Sequence, residues 1–95
     1  MGTVRVGEYE WDEDKAKANV HKHGVAFEEA MTVFLDELGL PLQDIAEPSR
    51  LILIGQSRLA RTVLVVFTEV MPRGTLRIIS ARRATRRERK AYEED

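Results

Sequence analysis

The sequence predicts an α+β domain with two N-terminal helices, an antiparallel sheet of three or four strands, and one C-terminal helix. Three observations predict it. Helical patterns come first and strand patterns follow as a block, which disfavours the alternation of a parallel sheet. Residues 51–56, 62–69 and 75–82 are rich in β-branched side chains and are separated by turn signals. Thr85-Arg86-Arg87-Glu88 is a capping box, so a last helix opens near Thr85. A chain of 95 residues buries one core, so residues 1–95 are expected to form one domain.

The elements follow in order. Glu8-Tyr9-Glu10-Trp11 alternates as a short strand does. Asp12 suits an N-cap, and Glu13 and Asp14 put negative charge on the first turn, where the macrodipole favours it. This helix runs to about His23, with Gly24 as its C′ residue. Ala16 and Val20, with His23 on the same stripe, make a thin apolar face, and Lys15, Asn19 and Lys22 form a neighbouring polar stripe. In the second helix Phe27, Ala30, Met31, Phe34 and Leu35 hold a core-facing spacing, and Gly39 and Pro41 end it. Residues 42–50 read as loop or edge strand. Val63-Leu64-Val65-Val66-Phe67 is apolar on both pleat faces, as a central strand is. Pro72-Arg73-Gly74 is a hairpin turn, so strands 62–69 and 75–82 are antiparallel neighbours. The last helix has only Ala84, Ala91 and Tyr92 to bury, so apolar packing holds it weakly.

A net charge of −1 conceals an asymmetry. Residues 1–50 carry 11 acidic and 5 basic side chains, a balance of −6, and residues 51–95 carry 10 basic and 5 acidic, a balance of +5. Residues 77–90 alone hold seven cations and one anion, Glu88. Such segregation suits a face that meets a polyanion, and it suits an acidic protein partner equally. The absence of cysteine excludes disulfides and thiolate chemistry and fits a reducing cytosol. Met1-Gly2-Thr3-Val4-Arg5-Val6 lacks the apolar run of a signal peptide. Runs 51–54 and 63–67 are far too short to span a bilayer. A cytoplasmic protein without membrane contact is therefore expected.

The C-terminal cations are the strongest functional signal. Arg82, Arg86 and Arg89 stand at i, i+4 and i+7, and Arg83, Arg87 and Lys90 repeat the spacing one residue on. On a helix reaching back to Arg82 they form two adjacent stripes. A solvated face is the usual fate of such a run, yet uncompensated like charges at i, i+4 cost roughly 0.2–0.5 kcal/mol per pair, which favours a phosphate-binding role. His23 either caps its helix as a cation or transfers protons, and spacing alone favours the cap. Trp11 reads as core and Tyr92 reads equally as packing or as a base-stacking group. Asp12, Glu13 and Asp14 point about 100° apart and do not converge on an ion. No zinc or calcium spacing, glycine-rich phosphate loop or nucleophile elbow is present, so neither metal nor cofactor is expected. An RNA substrate needs neither, because its 2′-OH attacks the neighbouring phosphorus while protein groups supply a base, an acid and cations. A DNA-binding reading is disfavoured by the sequence pI of about 6.1 and the lack of a helix-turn-helix.

Glu10-Trp11-Asp12-Glu13-Asp14-Lys15, Asn19, and Lys22-His23-Gly24-Val25-Ala26-Phe27-Glu28-Glu29-Ala30 resemble the opening of BrnT toxins. Arg77-Ile78-Ile79-Ser80-Ala81-Arg82-Arg83-Ala84, with Glu88 and Tyr92, resembles their close. The resemblance covers about residues 9–94. It implies a RelE-like fold and a ribonuclease that halts translation. It also implies a BrnA-like, DNA-binding antitoxin that neutralises the toxin in a hetero-oligomer, so that operator DNA is met only through the antitoxin. Ala26 departs from the Ser or Thr usual at its position, and the turn around Val70-Met71-Pro72 is slightly longer than usual.

The expected site centres on the end of the last strand. Arg82 and Arg83 bind phosphate and stabilise the transition state, facing opposite ways, Arg82 with Ile78 and Ser80, Arg83 with Ile79 and Ala81. Lys22 and His23 converge there from the first helix, with His23 or Glu88 moving the proton and Tyr92 near the base. Arg77, Arg86, Arg87 and Lys90 are expected to bind RNA. The competing reading is a non-catalytic module whose basic helix docks an acidic partner.

Overall fold

The computed structural model describes residues 2–94; Met1 and Asp95 lie outside the described residues. The chain opens with a hairpin, β1 (Thr3–Val6) and β2 (Tyr9–Asp12), then α1 (Glu13–His23) and α2 (Phe27–Val33). Strands β3 (Leu40–Gln43), β4 (Leu51–Gln56), β5 (Thr62–Val70) and β6 (Thr75–Arg83) follow, and α3 (Arg86–Glu94) closes the chain. The sheet has six strands in the order β1-β2-β6-β5-β4-β3.

The α+β class and the three helices are as expected, but the sheet is larger and mixed. Its β2 strand joins β6 in parallel through Tyr9↔Leu76 and Glu10↔Arg77, while every other pairing is antiparallel. Four-residue strands such as β1 carry too little periodicity to stand out in sequence. The ambiguous segment 42–50 resolves into the edge strand β3, which starts at Leu40, and a loop. The expected antiparallel pairing of β5 with β6 is present, closed by a turn whose Gly74 lies at φ 72°.

Helix α1 begins where Asp12 accepts the Lys15 N–H at 2.9 Å and ends where Gly24, at φ 70°, donates to the Val20 carbonyl at 2.8 Å. The next helix stops at Val33, well short of Gly39. The N–H groups of Phe34, Leu35 and Asp36 bond to carbonyls three residues back, which tightens the last turn. Asp36 then accepts the N–H groups of Leu38 and Gln56, drawing the chain out toward β4. As Ala26 implies, α2 begins without a side-chain cap.

Helices α1 and α2 cover one sheet face. The core there holds Trp11, Val25, Phe27, Ala30, Val33, Val63, Val65, Ile78 and Ala81. Trp11 meets Phe27 edge-on, ring centroids 6.0 Å apart. Gly55 lets α2 approach, because a Cβ there would stand 3.0 Å from Val33 Cγ1. Ile54 pairs with Leu64 and Leu64 with Arg82, so these three share the opposite face, and α3 lies over it. Across β5 and β6 a bulge at Val66/Phe67 shifts the register. Ile78 therefore joins Ala81 and Arg83 on the α1–α2 face, not Arg82 and Ser80 as unbroken alternation implied.

The inward face of α1 differs from expectation. Val20 is 47% exposed, whereas Asn19, on the polar stripe, is buried. The reason is what α1 covers. Beyond Arg77 strand β6 has no strand beside it on the β2 side, so its free backbone groups need polar partners. Asn19 Nδ2 donates to the Ala81 carbonyl at 2.7 Å and Asn19 Oδ1 accepts the Ala81 N–H at 3.2 Å. A side-chain amide completes the strand edge.

Candidate active site

That seal brings the polar stripe of α1 against β6. Lys15, Ala18, Asn19, Lys22 and His23 line a shallow groove of about 200 Å³ with Ile79 and Ser80 as its other wall. Lys22 is exposed and His23 half-buried. The structure thus brings Lys22 and His23 to the last strand. Arg82 stands two residues beyond Ser80 on the same face, and Arg83 lies on the other face, exposed at the strand end. Arg61 Nη2 donates to the Gly24 carbonyl at 3.1 Å, which ties the C-terminus of α1 to the Arg83 end of β6.

Arg82 does not lie on a helix, so the two long cationic stripes do not form. The helix starts at Arg86, with the capping box as expected: Thr85 N–H to Glu88 Oε1 at 2.9 Å and Glu88 N–H to Thr85 Oγ1 at 3.2 Å. The same Glu88 carboxylate accepts Arg82 Nη1 and Nη2 at 2.8 and 2.9 Å. One turn on, Tyr92 donates to Asp36 Oδ2 at 2.5 Å. No residue of α3 is buried, so these two polar clamps hold the helix where apolar packing is weak.

The clamps have pH limits. The Arg82 guanidinium, aided by Thr85, holds the Glu88 carboxyl down at about 2. The bond to Asp36, then burial, pushes the Tyr92 hydroxyl up to about 12. Glu88 is depressed by folding, so its contribution is present above 4.5 and lost as pH falls from there through about 2. Tyr92 is raised, so its contribution is present below 10 and lost as pH rises from there through about 12. The helical circular-dichroism signal should therefore fall on alkaline titration across that upper window. In Tyr92→Phe no such limb should remain; a limb unchanged by the substitution contradicts the clamp.

The other expected cations divide. Arg77 is 2.5 Å from Glu10, which is buried and also faces Arg5 and Arg73. Arg82 lies five positions along the strand from Arg77, roughly 16 Å. By contrast, among the described residues Arg83, Arg86, Arg87 and Lys90 are exposed and form no ion pair. Sequence reasoning passed over Glu29, buried on α2, which accepts from Arg61 and, at 2.6 Å, from Ser57. Arg61 and Ser57 hold its carboxyl below the usual range despite burial. A charged residue next to the apolar stripe of α2 was the available signal. Among the described residues no group of three or more His, Asp or Glu side chains is placed to hold a metal ion.

A half-buried imidazole and a lysine line the groove, and Arg82 stands two residues beyond its Ser80 wall; such groups suit chemistry on a phosphodiester. Comparison with known proteins gives the frame. A family model described as the ribonuclease toxin, BrnT, of type II toxin–antitoxin systems matches residues 11–88. The chain belongs to the BrnT family. Among solved structures, the Brucella abortus ribonuclease toxin BrnT is similar, with 27% sequence identity and a TM-score of 0.65. The match covers 80% of this chain and 94% of that one. No curated protein matches. The BrnT resemblance read from residues 9–94 therefore holds at the level of family. The matched span contains Lys22, His23, Arg82, Arg83 and Glu88, while Tyr92 lies just beyond it. No helix of the described residues is long and apolar enough to cross a membrane.

Proposed function

We propose that this BrnT chain is an endoribonuclease whose centre is the groove between α1 and β6, that it cleaves RNA without a bound metal, and that this cleavage halts translation. The observation that carries the reading is the meeting of Lys22 and His23 with the strand that presents Arg82 and Arg83. In the proposed step the ribose 2′-oxygen bonds to phosphorus and the P–O5′ bond breaks. His23 takes the 2′-OH proton as neutral imidazole, and the Lys22 ammonium gives a proton to the leaving oxygen. Arg82 faces the charge that grows on the phosphoryl oxygens. Two of its five donors are fixed on Glu88 and a third on the Arg83 carbonyl, which leaves Nε–H and one Nη2 hydrogen to meet phosphate. Glu88, ionised and with both oxygens engaged, serves to hold Arg82, and Tyr92 anchors α3. Arg83, Arg86, Arg87 and Lys90 track the RNA backbone. The partner of the reading is an antitoxin that covers this cationic face, binds DNA itself and keeps the toxin inactive in the cytoplasm.

Purified protein should cut RNA at full rate in excess EDTA and leave 2′,3′-cyclic phosphate ends. Cleavage that stops in EDTA and returns with a divalent cation would overturn the metal-free step. Tight binding of a protein partner with no cleavage at any concentration favours the non-catalytic module.

A further inference from the structure

We infer that Asn19 is a positioning residue for this site, the joint that sets Lys22 and His23 at their working distance from Arg82 and Arg83. The inference rests on the proposed site and adds a residue whose amide is fully engaged by the fold. Asn19 is 7% exposed. Both Nδ2 hydrogens are used, one on the Ala81 carbonyl at 2.7 Å and one on the Val25 carbonyl at 2.8 Å, while Oδ1 accepts the Ala81 N–H at 3.2 Å. One amide thus grips the strand between Ser80 and Arg82 and the chain just ahead of α2.

Its place on α1 gives these bonds their reach. Lys22 and His23 lie three and four residues on, one turn away on the same helix face. Ala81 is the immediate neighbour of both Ser80 and Arg82. The path from the imidazole to the guanidinium therefore runs through one helical turn, one amide pair and one strand residue. Among the described residues no hydrogen bond or ion pair links the side chains of Lys22 or His23 to the strand, so the amide, with the Arg61 bond to Gly24, sets their separation. The chemistry demands this residue type. A strand edge offers one donor and one acceptor at β spacing, and the asparagine amide matches both. Aspartate would set a carboxylate against two carbonyls, glutamine would shift the helix outward by a methylene, and alanine would leave buried backbone groups unpaired.

Single-turnover cleavage, RNA affinity and melting temperature, measured on the same samples, test the inference with Asn19→Ala, Asn19→Asp and, as a control, Val33→Ala. The control opens a small void in the core beside Gly55 of β4, away from the groove. Asn19→Ala should lower the rate at saturating RNA about tenfold to a hundredfold, as misplaced catalytic groups do, with RNA affinity nearly unchanged because the exposed cations remain. Val33→Ala should lose stability and keep its rate. Asn19→Asp should be slow at neutral pH, and its deficit relative to wild type at the same pH should narrow as the pH falls, since a protonated carboxyl supplies one donor and one acceptor. Folded Asn19 variants that cleave at the wild-type rate would overturn the inference, as would parallel loss of rate in Val33→Ala. Unfolding of both Asn19 variants at every pH, with the control folded, assigns the amide to stability alone and also overturns it. A wild-type protein that cuts no RNA defeats the functional reading itself, a separate outcome.

Discussion

Arg82→Ala should lower the rate of RNA cleavage by about a hundredfold or more, the usual loss when a preorganised donor to a developing anion is removed. Arg82 is preorganised here because Glu88 takes two of its donors at 2.8 and 2.9 Å and the Arg83 carbonyl a third at 3.3 Å. Arg82→Lys should rescue little, since an ammonium cannot hold the carboxylate and present a fork at once. Glu88→Gln, which keeps a side-chain acceptor for the Thr85 N–H but loses the charge, should cost about tenfold in rate with some loss of α3 helicity. Arg82→Ala with a near-normal rate would mean that the arginine only docks α3.

Trp11→Ala should destabilise the fold by about 3–5 kcal/mol. Trp11 is 1% exposed and lies edge-on to Phe27 between β2 and α2. Domains of this size are stable by about 5–15 kcal/mol, so one substitution removes a large share. Denaturant unfolding measures it. A variant within about 1 kcal/mol of wild type that no longer binds RNA would move Trp11 from the core to the substrate.

Much of the architecture was legible. The capping box at Thr85, the Gly24 terminus of α1, the β5–β6 hairpin and the doubly apolar Val63–Phe67 run are local signals with local causes. What escaped depends on partners distant in sequence. Pairing between Glu10 and Arg77 decides that β2 is parallel to β6, and no local pattern announces a contact across 67 residues. The bulge that turned Ile78 inward leaves no mark in the sequence. The stripe of Lys15, Asn19 and Lys22 was visible, but its meaning was not. Periodicity ranks faces by apolarity, whereas this face meets an open strand edge that needs hydrogen bonds. That Lys22 and His23 end α1 beside the last strand was legible by residue type and place. That Glu88 and Tyr92 clamp α3 was not, because a carboxylate and a phenol look alike in sequence whether they act on substrate or on the fold.

The central claim is that the α1–β6 groove performs the cleavage. Single-turnover cleavage of RNA by His23→Ala, with melting temperature taken on the same sample, tests it most directly. His23 lines the groove, is half-buried, and makes no bond on which the fold depends among the described residues. The expected result is a rate lower by about a hundredfold or more, the typical weight of general base catalysis, with melting within a few degrees of wild type. Near-normal cleavage by His23→Ala, with or without a lower melting temperature, would contradict it.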